Sequence, residues 1–240
     1  MNMKCLNNKT IIAILVLLLN FTFIFNVAAQ VQTIQYQDSW ATQGFSIKQE
    51  SSASAIVSFS INEFFLEDFI VAGDSMQKLQ LPGSFLPNNE GAPDIPGNGR
   101  YIAIPENSNA SINIISMRID TLENIDLLPA QRIPLVTDNN PVEYIKDNSI
   151  YEDNSFYPKK NIQLSEKKKI RAVDVVMLGI TPFQYNPVSK RLLIYRDIVV
   201  EVSFHGGNGQ FGNNRYRNRW FEPILSSHIL NYNSKYDYSI

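Results

Sequence analysis

Between Pro182 and Phe204 the chain reverses once and then alternates in hydropathy for the length of a strand, a pattern few architectures accommodate. Asn186-Pro187 opens the turn, because proline pre-sets φ near the value that a type I turn needs. Arg191 to Tyr195 resumes with apolar and β-branched residues suited to a strand. A second strand follows, with Ile198, Val200, Val202 and Phe204 on one face and Val199, Glu201 and Ser203 on the other. Such alternation marks a half-buried strand, one side to a core and the other toward water. The stretch predicts an all-β domain.

The remaining segments agree. Residues 30–49 are polar around Trp40 and Phe45 and read as loosely ordered chain or an edge strand. Ala55, Val57, Phe59 and Ile61 alternate with Ile56, Ser58 and Ser60, which predicts a strand. Aromatic and β-branched residues between Asn62 and Asp74 favour strand pieces over a short helix, and Lys78 to Leu81 is a strand stopped by Pro82-Gly83. The loop from Pro82 to Asn98 contains Gly91-Ala92-Pro93-Asp94-Ile95-Pro96, whose two prolines force an extended backbone suited to a sheet edge. Tyr101 to Ile104 and Ala110 to Ile119 are strands. In the second, the apolar phase switches from Ile112 and Ile114 to Ile115, Met117 and Ile119, as a bulge or a strand buried on both faces would require. Leu122 to Leu128 reads as a further strand, Pro129 to Pro158 as a long surface segment with short β pieces, and Arg171 to Ile180 as a central strand. Residues 205–219 are expected to be a flexible linker, rich in glycine and asparagine. Beyond them Trp220, Phe221, Ile224, Leu225 and Ile229 fall at helical spacing, so 220–240 is expected to hold a short helix, Pro223 being tolerable in its first turn.

The first 29 residues read as an export signal. Lys4 and Lys9 precede an apolar run from Ile11 to Phe25, and Val27-Ala28-Ala29 supplies small residues for cleavage between Ala29 and Gln30. The alternative is an uncleaved membrane anchor, for which the run is shorter than the roughly 20 residues that span a bilayer. Cys5, the only cysteine, lies in the part removed. The remainder, 30–240, therefore has no disulfide and no thiolate nucleophile. It is long enough for one large β domain burying roughly 70% of its unfolded surface.

Chemistry finds little purchase. A formal charge of −2 predicts no nucleic-acid partner. His205 and His228 are the only histidines, far apart in sequence and without clustered carboxylates, so no metal and no cofactor are expected. No G-x-S-x-G elbow occurs. Lys167-Lys168-Lys169 with Arg171 reads as a solvated charge run, and Asn109-Ala110-Ser111 as a chance glycosylation sequon. Arg215, Arg217 and Arg219 follow the glycine-rich stretch; they are either a solvated junction or a processing site, since flexible exposed backbone is what a protease threads.

Three phrases, in order, resemble the pro-region of gingipain-type cysteine peptidases. Gly91-Ala92-Pro93-Asp94-Ile95-Pro96 is similar to that family's G-x-P-x-[LI]-P, and Phe156-Tyr157-Pro158 to its aromatic-aromatic-proline phrase. Pro182 to Tyr195 is similar to its P-x-Q-Y-N-P-x-x-K-x-L-x-[IV]-Y. The resemblance implies an antiparallel, jelly-roll-like β-sandwich prodomain over 30–204, on a bacterial peptidase exported through a signal peptide and then the type IX route. It also implies latency imposed by covering the cognate peptidase's active-site cleft, and assistance to folding. In that family a basic residue of the prodomain enters the specificity pocket, and Arg132 is the candidate here. The family's catalytic histidine and cysteine would follow Ile240, so the chain is expected to be part of a larger precursor, with a stand-alone product as the alternative. Its expected partners are that peptidase domain and the secretion machinery. The rival reading is a non-catalytic extracellular binding module, with Trp40 and the tyrosines of Pro129 to Pro158 as stacking platforms for carbohydrate.

Overall fold

A computed structural model describes residues 30–84, 88–137, 141–212 and 220–232. The expected export signal through Ala29, and Arg215, Arg217 and Arg219, lie outside the described residues. The strands are β1 (Val31–Gln35), β2 (Gly44–Glu50), β3 (Ser54–Ser60), β4 (Glu63–Val71), β5 (Asp74–Gln80) and β6 (Asn98–Ala103). They continue with β7 (Asn109–Leu122), β8 (Ile162–Leu164), β9 (Lys168–Ile170), β10 (Val173–Ile180), β11 (Phe183–Asn186) and β12 (Arg191–His205). Two short helices, α1 (Asn148–Tyr151) and α2 (Glu222–His228), complete the described elements.

The strands pair antiparallel in three sheets. The largest has the order β11-β12-β3-β2, with β7 along the other edge of β12. A four-stranded sheet is centred on β10, between β6 on one side and β8 and β9 on the other. A three-stranded sheet runs β1-β4-β5. One apolar core joins them: Val57 and Phe59 of β3, Phe64 and Leu66 of β4, Leu178 and Ile180 of β10, and Ile198, Val200 and Val202 of β12 are all buried in it. The molecule is an antiparallel β-sandwich, and the hairpin strand β12 is its spine.

The two strands expected on either side of Arg196 are one strand. Tyr195 pairs with Ile119 and Asp197 with Arg118, so Arg196 is an extra residue against β7, and the even-numbered apolar residues from Leu192 to Phe204 stay buried on both sides of the bulge. A second slip makes Ile115 the extra residue of β7, where the apolar phase was expected to switch. Other boundaries differ from expectation for local reasons. Arg171 and Ala172 have φ of 48° and 67° and form the two-residue turn between β9 and β10, so β10 begins only at Val173. Leu122 to Leu128 is not one strand. β7 stops at Leu122, Asn124 takes φ 60°, and Leu127 joins Gln77 by a parallel bridge.

The glycine-rich stretch after β12, expected as a linker, is pinned as far as it is described. Glu106 N donates to Gln210 O at 2.7 Å, Asn208 N donates to Glu106 O at 3.2 Å, and Phe211 packs on Phe204 at 6.1 Å. The short helix α2 lies against the outer face of the β10 sheet, where Leu225, Ile229 and Tyr232 bury with Ala103, Val173 and Val175. Asn231 accepts from Ala103 N at 2.7 Å and donates to Ala103 O at 3.0 Å, which covers part of the edge of β6.

Candidate functional site

The three recognisable phrases meet at one place. Gly91 ends a turn in which Ala92 N donates to Asn89 O at 3.1 Å, and the chain through Pro93 to Asp94 pairs with the run Leu128 to Ala130. Gly91 N donates to Ala130 O (2.9 Å), Ala130 N to Ala92 O (2.7 Å) and Asp94 N to Leu128 O (2.8 Å). Pro93 faces Pro129 across this ribbon, so neither missing N–H is wasted on a ladder bond. The same run joins β5, with Gln77 N donating to Asp126 O (2.7 Å) and Leu128 N to Gln77 O (2.9 Å). The proline phrase does lie along a sheet edge, but one that residues 126–130 have first extended.

Two tyrosine hydroxyls, one fully buried and one half-buried, hold this ribbon. Tyr185, fully buried in the hairpin strand β11, donates to Ile125 O at 2.9 Å, and Tyr151 of α1 donates to Leu127 O at 2.9 Å. Tyr157, from the aromatic-aromatic-proline phrase, exchanges two backbone bonds of 2.8 Å with Tyr185. At the hairpin turn, Asn186 Oδ1 accepts from Val188 N (3.1 Å) and Ser189 N (3.0 Å), so asparagine caps the turn that Pro187 opens. Lys190 then reaches back to Asp126 at 3.0 Å. Burial pushes the Tyr185 hydroxyl far above the ordinary tyrosine range, with the Asp126 charge adding to it. Burial likewise raises Tyr151, seconded by Tyr185, Asp126 and Asp94. Both hydroxyls therefore stay protonated and remain donors.

From this anchored base a loop leaves at Ala130 and returns at Asp147. Its outgoing limb, Gln131 to Thr137, is exposed throughout. It carries Arg132 beside Ile133, Leu135 and Val136, which are 75%, 64% and 107% exposed. The limb borders a groove of about 720 Å³ whose other walls include Phe65, Lys78, Gln80, Asp94 and Tyr144. On the return, Asp147 accepts from Ser149 N at 2.9 Å as the N-cap of α1. Its own N–H donates to Gly91 O at 2.9 Å. The arrangement offers no nucleophile. It offers an exposed peptide that turns at Val136-Thr137, with one guanidinium among apolar side chains.

Arg132 is thus the one expected site residue placed on a protruding element; Gln30 is exposed at the start of the described chain. Gly91, Asp147, Tyr151 and Tyr185 were not singled out as functional from sequence. Gly91 stood in view inside its phrase, whereas the partners of the tyrosines are distant in sequence and leave no local signal. Of the stacking platforms of the rival reading, Tyr144 lines the groove, while Trp40, Tyr151 and Tyr157 are engaged within the fold. Arg118 sits 5.0 Å over the Trp40 ring, and Tyr151 and Tyr157 hold the loop base. His205 contacts Ser111 at 2.6 Å and His228 contacts Ile224 O at 2.8 Å. Among the described residues no three His, Cys, Asp or Glu side chains are grouped to hold a metal ion.

Residues 43–240 match the family described as Propeptide_C25. Gingipain R2 of Porphyromonas gingivalis is 28% identical over 149 residues, covering 60% of this chain and 20% of that protein. Lys-gingipain of the same organism is 24% identical over 176 residues, covering 71% of this chain and 10% of that protein. The fold is shared with the complex of P. gingivalis RgpB pro- and mature domains, at a TM-score of 0.69 and 22% identity over 79% of this chain and 97% of that one. It is also shared with a structure described as giving insight into zymogenic latency of gingipain K, at 0.62 and 24% over 74% and 100%. The chain spans a fifth or less of the length of these curated relatives.

Proposed function

This chain belongs to the Propeptide_C25 family, the propeptides of gingipain-type cysteine peptidases, and on that footing we propose that it keeps a cognate cysteine endopeptidase latent by laying the limb Gln131 to Thr137 along the enzyme's cleft. Occlusion needs no chemistry from the propeptide. An extended segment in a peptide-binding cleft excludes substrate, backbone contacts supply affinity, and side chains in pockets supply specificity. Arg132 is the residue that enters the specificity pocket, and Ile133, Leu135 and Val136 add apolar area on one side of it. The observation that carries this reading is the exposed, arginine-bearing limb set on a base tied down at both ends. The endopeptidase activity resides in another domain of the precursor, since residues 30–240 contain no cysteine. In this reading residues 1–29 direct export, the product is extracellular or on the cell surface, and release follows cleavage at Arg215, Arg217 or Arg219.

The test is inhibition of the mature peptidase domain of the same precursor by residues 30–240. Tight inhibition is expected, and Arg132→Ala is expected to weaken it by roughly 30-fold or more, the signature of an interface hot spot. Unchanged inhibition by Arg132→Ala rejects the assignment of that residue. An absence of inhibition by the wild-type chain rejects latency altogether. N-terminal sequencing of the matured enzyme tests the processing site, which a start far from Arg215 to Arg219 excludes.

A further inference from the structure

One glycine closes the loop that carries Arg132. Gly91 donates its N–H to Ala130 O at 2.9 Å, where the loop leaves, and accepts at its C=O from Asp147 N at 2.9 Å, where the loop returns. Its φ is +80°, which L side chains rarely adopt. A Cβ built there would stand 3.1 Å from Asp147 N and 3.2 Å from both Asp147 Cβ and Ile145 O. A side chain there would be strained at this φ and would push the Asp147 and Ile145 backbone outward by a few tenths of an ångström, loosening the clasp. The neighbouring bond of Ala130 N to Ala92 O (2.7 Å) and the cap of α1 by Asp147 secure the same two ends.

We propose that Gly91 is a positioning residue that clasps both ends of the 131–146 loop, so that the loop presents Arg132 to a peptidase as a slowly cleaved inhibitor rather than as a substrate. The chemistry follows from the tether. Attack of an enzyme nucleophile on the Arg132 carbonyl breaks the Arg132–Ile133 bond and releases the Ile133 amine. In a loose loop that amine departs and water completes hydrolysis. With both ends clasped it stays beside the acyl-enzyme, attacks it, re-forms the amide and frees the nucleophile. Ends already held also lower the cost of ordering the limb that carries Arg132 on binding. The inhibitory part of the inference rests on the latency reading; the clasp does not.

The test uses trypsin, which cuts after arginine, on residues 30–240 as wild type, Gly91→Ala and Gly73→Ala. Gly73 has φ +94° with no atom within 4 Å of a built Cβ, so its substitution reproduces the backbone strain without touching the clasp. Mass spectrometry follows scission at Arg132–Ile133 against cleavage elsewhere in the chain. Opening the clasp in proportion to the strain of an alanine at positive φ should raise the rate at that bond by roughly 5- to 30-fold in Gly91→Ala. Gly73→Ala should behave as wild type. Equal rates in all three overturn the clasp. Should Gly91→Ala not fold, Asp147→Ala, which removes the helix cap at the returning end, is judged by the same criterion. In a second arm the mature peptidase domain of the precursor is titrated with each variant. Inhibition by Gly91→Ala that is weaker by a similar factor, and that fades as the loop is cut, supports the inference. Inhibition equal to wild type overturns the positioning role. If the wild-type chain itself does not inhibit, the latency reading falls while the trypsin result still decides the clasp.

Discussion

Replacing Tyr185 by phenylalanine removes one oxygen from the point where the hairpin, the aromatic-proline phrase and the loop base converge. The ring is fully buried, and its hydroxyl is the donor to Ile125 O at 2.9 Å. Ile125 is itself buried, so its carbonyl loses its partner and gains no ready replacement from bulk water. Leaving a buried acceptor unsatisfied costs about 1–3 kcal/mol. The ring stays, as do its two backbone bonds to Tyr157, so no cavity term is added. For a domain of this size about 1 kcal/mol corresponds to roughly 2–4 °C, which places the melting point of Tyr185→Phe about 2–12 °C below wild type. Urea unfolding of residues 30–240 should show the same loss as a lower midpoint at unchanged slope. Tyr151→Phe removes the analogous donor to Leu127 O two residues along the same ribbon. The two losses should therefore couple, the double variant deviating from additivity by about 0.5 kcal/mol or more. An unchanged midpoint for Tyr185→Phe would refute the reasoning, because it would mean the Ile125 carbonyl does not depend on that hydroxyl.

Two further substitutions probe the frame around the site. Asp197 is fully buried and accepts from Ser60 Oγ (2.7 Å), Trp40 N (2.9 Å) and Arg118 Nε (2.8 Å), so Asp197→Ala strips these donors of their acceptor, although Arg118 keeps Asp38 and Arg196 keeps Asp38 and Asp120. The buried donors left unsatisfied should cost about 1–3 kcal/mol by urea titration, and an unchanged midpoint would count against the network. Asn231→Ala removes both side-chain bonds to Ala103, and hydrogen exchange at the Ala103 amide should quicken while β12 keeps its protection. No change at Ala103 would show that apolar packing and the Leu230 N to Tyr101 O bond hold α2 in place without Asn231.

Strand identity was legible wherever apolar residues alternated, as in β3 and β12, because period two has one physical meaning on a half-buried sheet. The bulge at Ile115 was legible too, as a change of phase. Less visible were features made by non-local contact. The extended sheet edge at 126–130 exists because Gln77, Gly91 and Asp94 all bond to it, and nothing in Leu122 to Ala130 announces three distant partners. Likewise α2 was legible as a helix, but its site on Ala103, Val173 and Val175 was not, since the outer face of the β10 sheet carries no periodic sign of being covered. For the candidate site, Arg132 was found by resemblance and lies on the exposed limb. Its clasp stood in plain sequence as Gly91, and only the φ of +80° and the crowded Cβ position give that glycine a reason.

The chemistry of the loop base sets how latency should respond to pH. Its side-chain donors to the ribbon carbonyls Ile125 O and Leu127 O are phenols whose ionisation burial drives upward, and the clasp itself is backbone. In the unfolded chain these tyrosines ionise near pH 10, whereas in the fold they keep their protons well above that. Below pH 10 both states are protonated and the full contribution to stability is present. Above it the unfolded state loses protons that the fold retains, so stability falls by about 1.4 kcal/mol per pH unit for each such tyrosine. Tyr36, pushed up to about 12 by burial and by Asp120, adds to the slope up to that pH. Urea titrations of residues 30–240 should therefore be flat in this component from pH 7 to 9 and steepen beyond 10, with Tyr185→Phe losing one tyrosine's share of the slope. Absorbance at 295 nm should report Tyr185 and Tyr151 ionising only as the domain unfolds. Reversible ionisation near pH 10 in the folded chain, by difference between wild type and each phenylalanine variant, would show that these hydroxyls are not committed donors. The loop base would then have to be held by backbone pairing alone, and the clasp at Gly91 would carry the positioning of Arg132 unaided.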